Sequence, residues 1–237
     1  MPTDGQSPFY EYLGELNSAS RVLAQDLSEA MEARRTWRTA RSFLTFDRSA
    51  LDLPGGLGEF EERADAALSA RPRATIRATG ILVVLQSLAE GLRRTVIGDM
   101  SGKFGPEING VAFSELLQAS ANSCRHGSEW WRTVTALCFN PEFLGLPEDA
   151  RAASIDAILT KDQRRSIHVL VKALGTEHVE ASNQPAIDAL SLLSDDGSFL
   201  VLRTRMFEVA MDIARSEDRV DDFNGAAQLL NVPTVKL

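Results

Sequence analysis

The sequence predicts an all-α protein, a multi-helix bundle with an N-terminal helical extension. Apolar residues recur at three- and four-residue spacings along almost the whole chain, and alternating apolar–polar runs are scarce. Breaker stretches rich in glycine and proline separate the periodic segments, at 52–58, 98–110 and 140–147. Helix-start signals stand in front of several of them.

The first segment, from about Pro8 to Phe46, carries Leu13, Leu16, Val22, Leu23, Leu27, Ala30 and Met31. It forms one long helix or two in series, with Ser18 or Ser20 available to cap a second. After the break, Phe60, Ala64, Ala67 and Leu68 outline a short amphipathic helix expected to end before Pro72. A stronger helical signal runs from Thr75 to Ile97. Its apolar residues, Ile76, Ile81, Val84, Leu85, Leu88, Leu92 and Val96, spread over more than one stripe, as in a central, largely buried helix. Gly98 to Gly110 reads as a plain connection, and Ser114 is placed to cap the helix that runs from Glu115 through Trp131.

Beyond the linker 140–147, helices are expected near Glu148–Leu159, Lys161–Leu174, Pro185–Leu193, Ser198–Ser216 and Asp221–Leu230. Thr160 with Gln163 matches a capping box, and Pro185 suits a helix start. The domain expectation is an N-terminal helical extension over 1–53 and a helical bundle over 54–237, or one continuous domain over 8–230.

Composition narrows the classes of function. Hydrophobic residues make up 44% of the 237 and charged residues 24%, which suits a globular chain and excludes wholesale disorder. No uninterrupted apolar run approaches the ~18 residues of a membrane span, and Ile81 to Leu85 is the nearest. The first residues lack a basic region followed by an apolar stretch, so the expectation is a cytoplasmic protein without a membrane partner. Cys124 and Cys138 have neither disulfide-framework nor metal spacing, and the histidines form no zinc pattern, so no metal and no cofactor is expected. The net charge of −8 opposes general avidity for nucleic acid but leaves room for a local basic site. The string Gly102-Lys103-Phe104-Gly105 lacks the upstream glycine and the Lys-Ser/Thr ending of a phosphate loop.

The segment Asn122 to Trp131 concentrates chemically able side chains. On a helix Asn122, Arg125, His126 and Glu129 stand at i, i+3, i+4 and i+7 and share one face. His126 suits proton transfer, Arg125 the binding of a phosphate or carboxylate, Glu129 the orientation of either, and Asn122 donation to a bound oxygen. Arg125, His126 and Glu129 are thus the catalytic candidates. The competing account makes Arg125 and Glu129 an i,i+4 ion pair and Trp130 and Trp131 core anchors. Arg164 and His168 form a second candidate binding pair, sharing a helix face while Ile167 turns to the core. Arg34, Arg38 and Arg41 line one stripe that could contact phosphates of a nucleic acid, or whose stems cover apolar surface.

The string Asn122-x-x-Arg125-His126-x-x-Glu129-Trp130 resembles an Asn-x-x-Lys/Arg-His-x-x-Glu-Trp pattern of all-helical bacterial proteins. Some of these are similar to the HEPN superfamily, many of whose members are metal-independent RNases of toxin and phage-defence systems. The likeness covers about ten residues and a preceding long helix with Glu90. It implies a HEPN-like bundle, a homodimer, and Arg125 and His126 as the pair acting on RNA. In active HEPN proteins, however, Arg and His are four to six residues apart, and here they are adjacent. The leading expectation is therefore a non-catalytic binding protein, for RNA or a protein partner in a stress or defence system. A metal-independent RNase and a purely structural interaction module are the alternatives.

Overall fold

A computed structural model describes residues 7–44, 56–98, 102–138, 141–175 and 184–232. Helix α1 spans Pro8–Leu44, α2 Gly56–Val96 and α3 Phe113–Cys138. The short α4 (Pro141–Leu144) leads into α5 (Glu148–Ile158) and α6 (Lys161–Leu174). After it come α7 (Gln184–Leu193), α8 (Phe199–Ser216) and α9 (Val220–Leu229). A two-stranded antiparallel hairpin, β1 (Glu107–Ile108) and β2 (Val111–Ala112), precedes α3. The architecture is an all-α multi-helix bundle, as the periodicity predicts.

The first segment is a single helix. Ser20 does not cap a second one: its hydroxyl donates back to the Leu16 carbonyl at 2.7 Å, inside a continuous helix. Phe9, Leu13, Leu16, Leu23, Leu27 and Met31 of α1, spaced by three, four or seven residues on one face, are buried, but Val22 faces water. These residues belong to the same core cluster as Leu82 and Leu85 of α2, Leu116 of α3, Leu190 of α7 and Met206 of α8. The Phe9 ring meets Phe223 of α9 edge-on, with centroids 5.8 Å apart.

The expected stop before Pro72 is overturned, because α2 runs through it without interruption. Proline removes one backbone donor and leaves the carbonyl four residues earlier, that of Leu68, without its helical partner. Pro72 and Leu68 both face solvent, the side of a helix on which an unpartnered carbonyl costs least. Ala70 and Ala74 on the opposite side are buried and hold the two halves in line. Across α1 and α2, Arg77 bridges Asp26 and Glu29, and the Arg71 guanidinium lies 5.3 Å from the Trp37 ring centre.

By length and composition alone, Ala64–Val96 of α2 would pass for a membrane span, although its apolar residues form no long uninterrupted run. Here its Ala74, Ala78, Ile81, Leu82, Leu85, Ala89 and Leu92 are buried in the protein core. Ile76 and Val84, expected inside, face outward.

The stretch 98–110 was expected to be a plain connection, but its end forms the hairpin turn. Asn109 and Gly110 have φ of 50° and 74°, the two successive left-handed residues that a type I′ turn demands, with Ile108 paired to Val111. The hairpin is fastened to the end of α6: Lys172 Nζ donates to the Gly110 carbonyl at 2.6 Å, and Asn109 Nδ2 to the Ala173 carbonyl at 2.8 Å. Helix α3 starts one residue before Ser114, whose hydroxyl accepts from the Phe104 backbone N–H at 2.9 Å rather than capping the helix. The capping box of α6 is present, with Thr160 N to Gln163 Oε1 at 2.8 Å and Gln163 N to Thr160 Oγ1 at 3.3 Å.

Candidate functional site

Helix α3 lies between α2 and α6, and its middle turns carry the first group of expected site residues. Their side chains divide between the two neighbours. Asn122, half-buried, directs Nδ2 to the Ser166 hydroxyl of α6 at 3.5 Å. Arg125 directs Nη2 to Gln86 Oε1 of α2 at 3.0 Å. His126, one residue on, is exposed. Glu129, Trp130 and Trp131 continue α3, and their side chains lie outside the described residues.

Gln86 was not singled out in the sequence, although it is 6% exposed and central to the arrangement. Its amide accepts from Arg125 and donates through Nε2 to Glu90 Oε2 at 2.7 Å, and Glu90 in turn pairs with Arg94. A buried amide between a guanidinium and a carboxylate has both ends satisfied, which removes the cost of burying it. The i,i+4 spacing of Gln86, Glu90 and Arg94 was the legible signal, but only the fold brings Arg125 to it. Beside Arg125, the half-buried Cys124 thiol has its pKa raised by burial, opposed by a hydrogen bond with Thr79 and by the Arg125 charge. A thiol held protonated is a poor nucleophile.

The third group, Arg34 and Arg38 on α1, faces acids of α7 and the turn after it. Arg34 binds Asp188 Oδ1 through Nε at 3.1 Å and Nη2 at 2.9 Å, and Asp196 through Nη1 at 3.0 Å. Arg38 reaches the same Asp188 oxygen at 3.3 Å. The side chains of Arg34 and Asp188 are only 11% and 12% exposed. Around them lies an open cleft of about 380 Å³ that Asn109, Leu174 and Ser191 also line. The Arg41 side chain lies outside the described residues.

The second group sits on α6. Arg164 and His168 are exposed, and Ile167 is half-buried. Lys161, Arg165 and Lys172 are exposed beside them; Arg165 belongs to the same candidate string, whereas Lys161 and Lys172 carry no expectation of a site. Arg165 Nη2 binds Glu115 Oε1 of α3 at 3.0 Å, and Lys103 Nζ reaches Glu115 Oε2 at 3.4 Å. The glycine before Lys103 has a packing reason, since a Cβ there would run into the Phe104 ring.

Comparison of this chain with protein-family models, curated proteins and solved structures finds no match. Chemistry must therefore be argued from the side chains themselves. Among the described residues no three His, Cys, Asp or Glu side chains gather as metal ligands would. What the arrangement offers is exposed basic and imidazole groups on α3 and α6, and arginines on α1 held by acids.

Proposed function

We propose that this chain is a non-catalytic helical binding protein for RNA or a protein partner, acting in a bacterial stress or defence system. The observation that carries this is the engagement of Arg125. An RNase built on Arg125 and His126 needs that guanidinium aimed at a phosphate that the imidazole also reaches. Instead its Nη2 is turned to α2, on a buried amide that is itself bound to Glu90. His126, adjacent in sequence, projects about 100° further round the helix. An arginine held by a buried amide, with exposed cations elsewhere, on α6, suits recognition better than catalysis. The stress or defence setting rests on the resemblance of Asn122 to Trp130 alone.

The test incubates the purified protein and a His126→Ala variant with total RNA, reading both RNA length and RNA retained on the protein. The expected result is RNA retained, uncut, by both. Cleavage by the parent that the variant lacks would replace binding with a metal-independent RNase. Neither retention nor cleavage at low salt would remove the RNA arm.

A further inference from the structure

We propose that the exposed face of α6 is a docking stripe for the phosphate backbone of a double-stranded nucleic acid, read without regard to sequence. Lys161, Arg164, Arg165, His168 and Lys172 stand at i, i+3, i+4, i+7 and i+11, and all five are exposed. At 3.6 residues per turn these offsets keep within about 60° of one line, over a length of about 16 Å. Lys103 extends the patch from the loop before β1, where it shares Glu115 with Arg165. The chain has only four lysines, and three of them are here. Among the described residues the Glu115 carboxylate pairs with the patch, shared by Arg165 and Lys103, whereas Asp188 on the neighbouring α7 is taken up by Arg34 and Arg38. Asp162 stands about 100° from Lys161, on the flank of the stripe.

The kind of partner follows from what the stripe lacks. None of the exposed large apolar side chains lies on α6, so the helix itself presents no apolar centre of the sort protein interfaces bury. Among the described residues the nearby aromatics, Phe104 and Phe113, are buried, so neither presents a ring for stacking the bases of a single strand. Cations without either feature contact phosphates, which position a duplex but carry no sequence information. The helix start adds to the attraction, since Lys161 occupies the first turn where the backbone dipole is positive. With a net charge of −8, the remainder of the surface repels a polyanion and confines contact to this face.

The inference rests on the binding reading above and names its surface. Its test measures fluorescence anisotropy of a labelled mixed-sequence duplex against intact protein, between about 50 and about 200 mM salt. Lys161→Ala/Arg164→Ala/Lys172→Ala is compared with the conservative Lys161→Arg/Lys172→Arg and with Arg21→Ala on α1 as an off-stripe control. The triple variant is expected to weaken binding by roughly 100-fold at the low-salt end and to flatten the log–log salt slope by about 2 to 3. The Lys→Arg and Arg21→Ala proteins should bind as the parent does, and the circular-dichroism melt of each variant reports its folding. If the triple variant loses its fold, Arg164→Ala alone, expected to weaken binding several-fold, and competition by polyglutamate decide. Equal displacement by polyglutamate, charge for charge, would make the partner an acidic protein segment and overturn the proposal. Equal duplex binding by the parent and a folded triple variant would overturn the stripe but leave RNA retention, and so the broader function, standing. Absence of duplex binding by the parent overturns the stripe as well.

Discussion

Tyr12 of α1 donates its hydroxyl hydrogen to the Met206 carbonyl of α8 at 2.9 Å, across 194 positions of chain. The ring is 4% exposed, and burial raises the phenol pKa above its ordinary value. Tyr12→Phe removes one buried hydrogen bond and leaves a carbonyl that α8 still uses internally. The expected loss is about 1 kcal/mol, or roughly 2–4 °C in Tm. The pH dependence has a definite sign. With the folded pKa above the unfolded value of about 10, the native state keeps a proton that the unfolded chain releases, so stability falls as pH rises beyond about 10. Chemical denaturation across that range should decline less steeply in Tyr12→Phe. An identical decline would show that other groups govern alkaline unfolding.

Pro72→Ala should stabilise the protein. Proline inside a helix is worse than alanine by up to about 3 kcal/mol, and Pro72 makes its break on an exposed face of α2. A gain of about 1–2 kcal/mol in urea titration is expected, tempered by the lower unfolded-state entropy of proline. A loss would mean that Pro72 contributes to the packing of α2 on α1.

Gly110→Ala should cost about 1 kcal/mol. Its φ of 74° is unfavourable for any residue with a Cβ, and that Cβ would also press on Lys172 Cε at 3.3 Å. An unchanged Tm would show the turn to relax into another type.

Arg125 and Gln86 should behave as a coupled pair. Arg125→Ala leaves Gln86 Oε1 buried without its donor, at about 1–3 kcal/mol, and Gln86→Leu likewise frees Arg125 and Glu90. The double change should cost less than the sum, with a coupling of about 0.5–1.5 kcal/mol in a double-mutant cycle. A second readout follows from Cys124, since the Arg125 charge opposes the effect of burial on its thiol. Alkylation of Cys124 near neutral pH, read on its own peptide by mass spectrometry, should slow in Arg125→Ala. Strict additivity would deny the pair.

Local signals made much of this fold legible. Thr160 and Gln163 announce α6, and Pro185 with the apolar repeat announces α7, because both depend on residues within one turn. Asn109-Gly110 between Ile108 and Val111 carries an equally local hairpin signal, masked by the glycine-rich run 98–110 around it, which reads as a plain connection. Pro72 misled because the rule against interior proline is local, whereas the alanines that bury beside it answer to α1. The candidate site was harder to see. Asp188 lies 154 positions from Arg34, and Gln86 lies 39 from Arg125, so neither partner could be found by spacing. The α6 stripe was fully present in the sequence, yet only exposure tells a basic face from arginine stems laid on a core.

The edge-on pair of Phe9 and Phe223 also sets a condition on biosynthesis. A ribosome adds about 5–20 residues per second, so Phe9 waits roughly ten to forty seconds for its ring partner to be made. In that interval α2 can shield part of the apolar stripe of α1, but the portion that rests on α8 and α9 stays uncovered. The nascent chain therefore carries an adhesive N-terminal helix until translation is nearly through residue 223. Slow elongation late in the message would prolong that exposure and favour aggregation, a vulnerability invisible in the finished bundle.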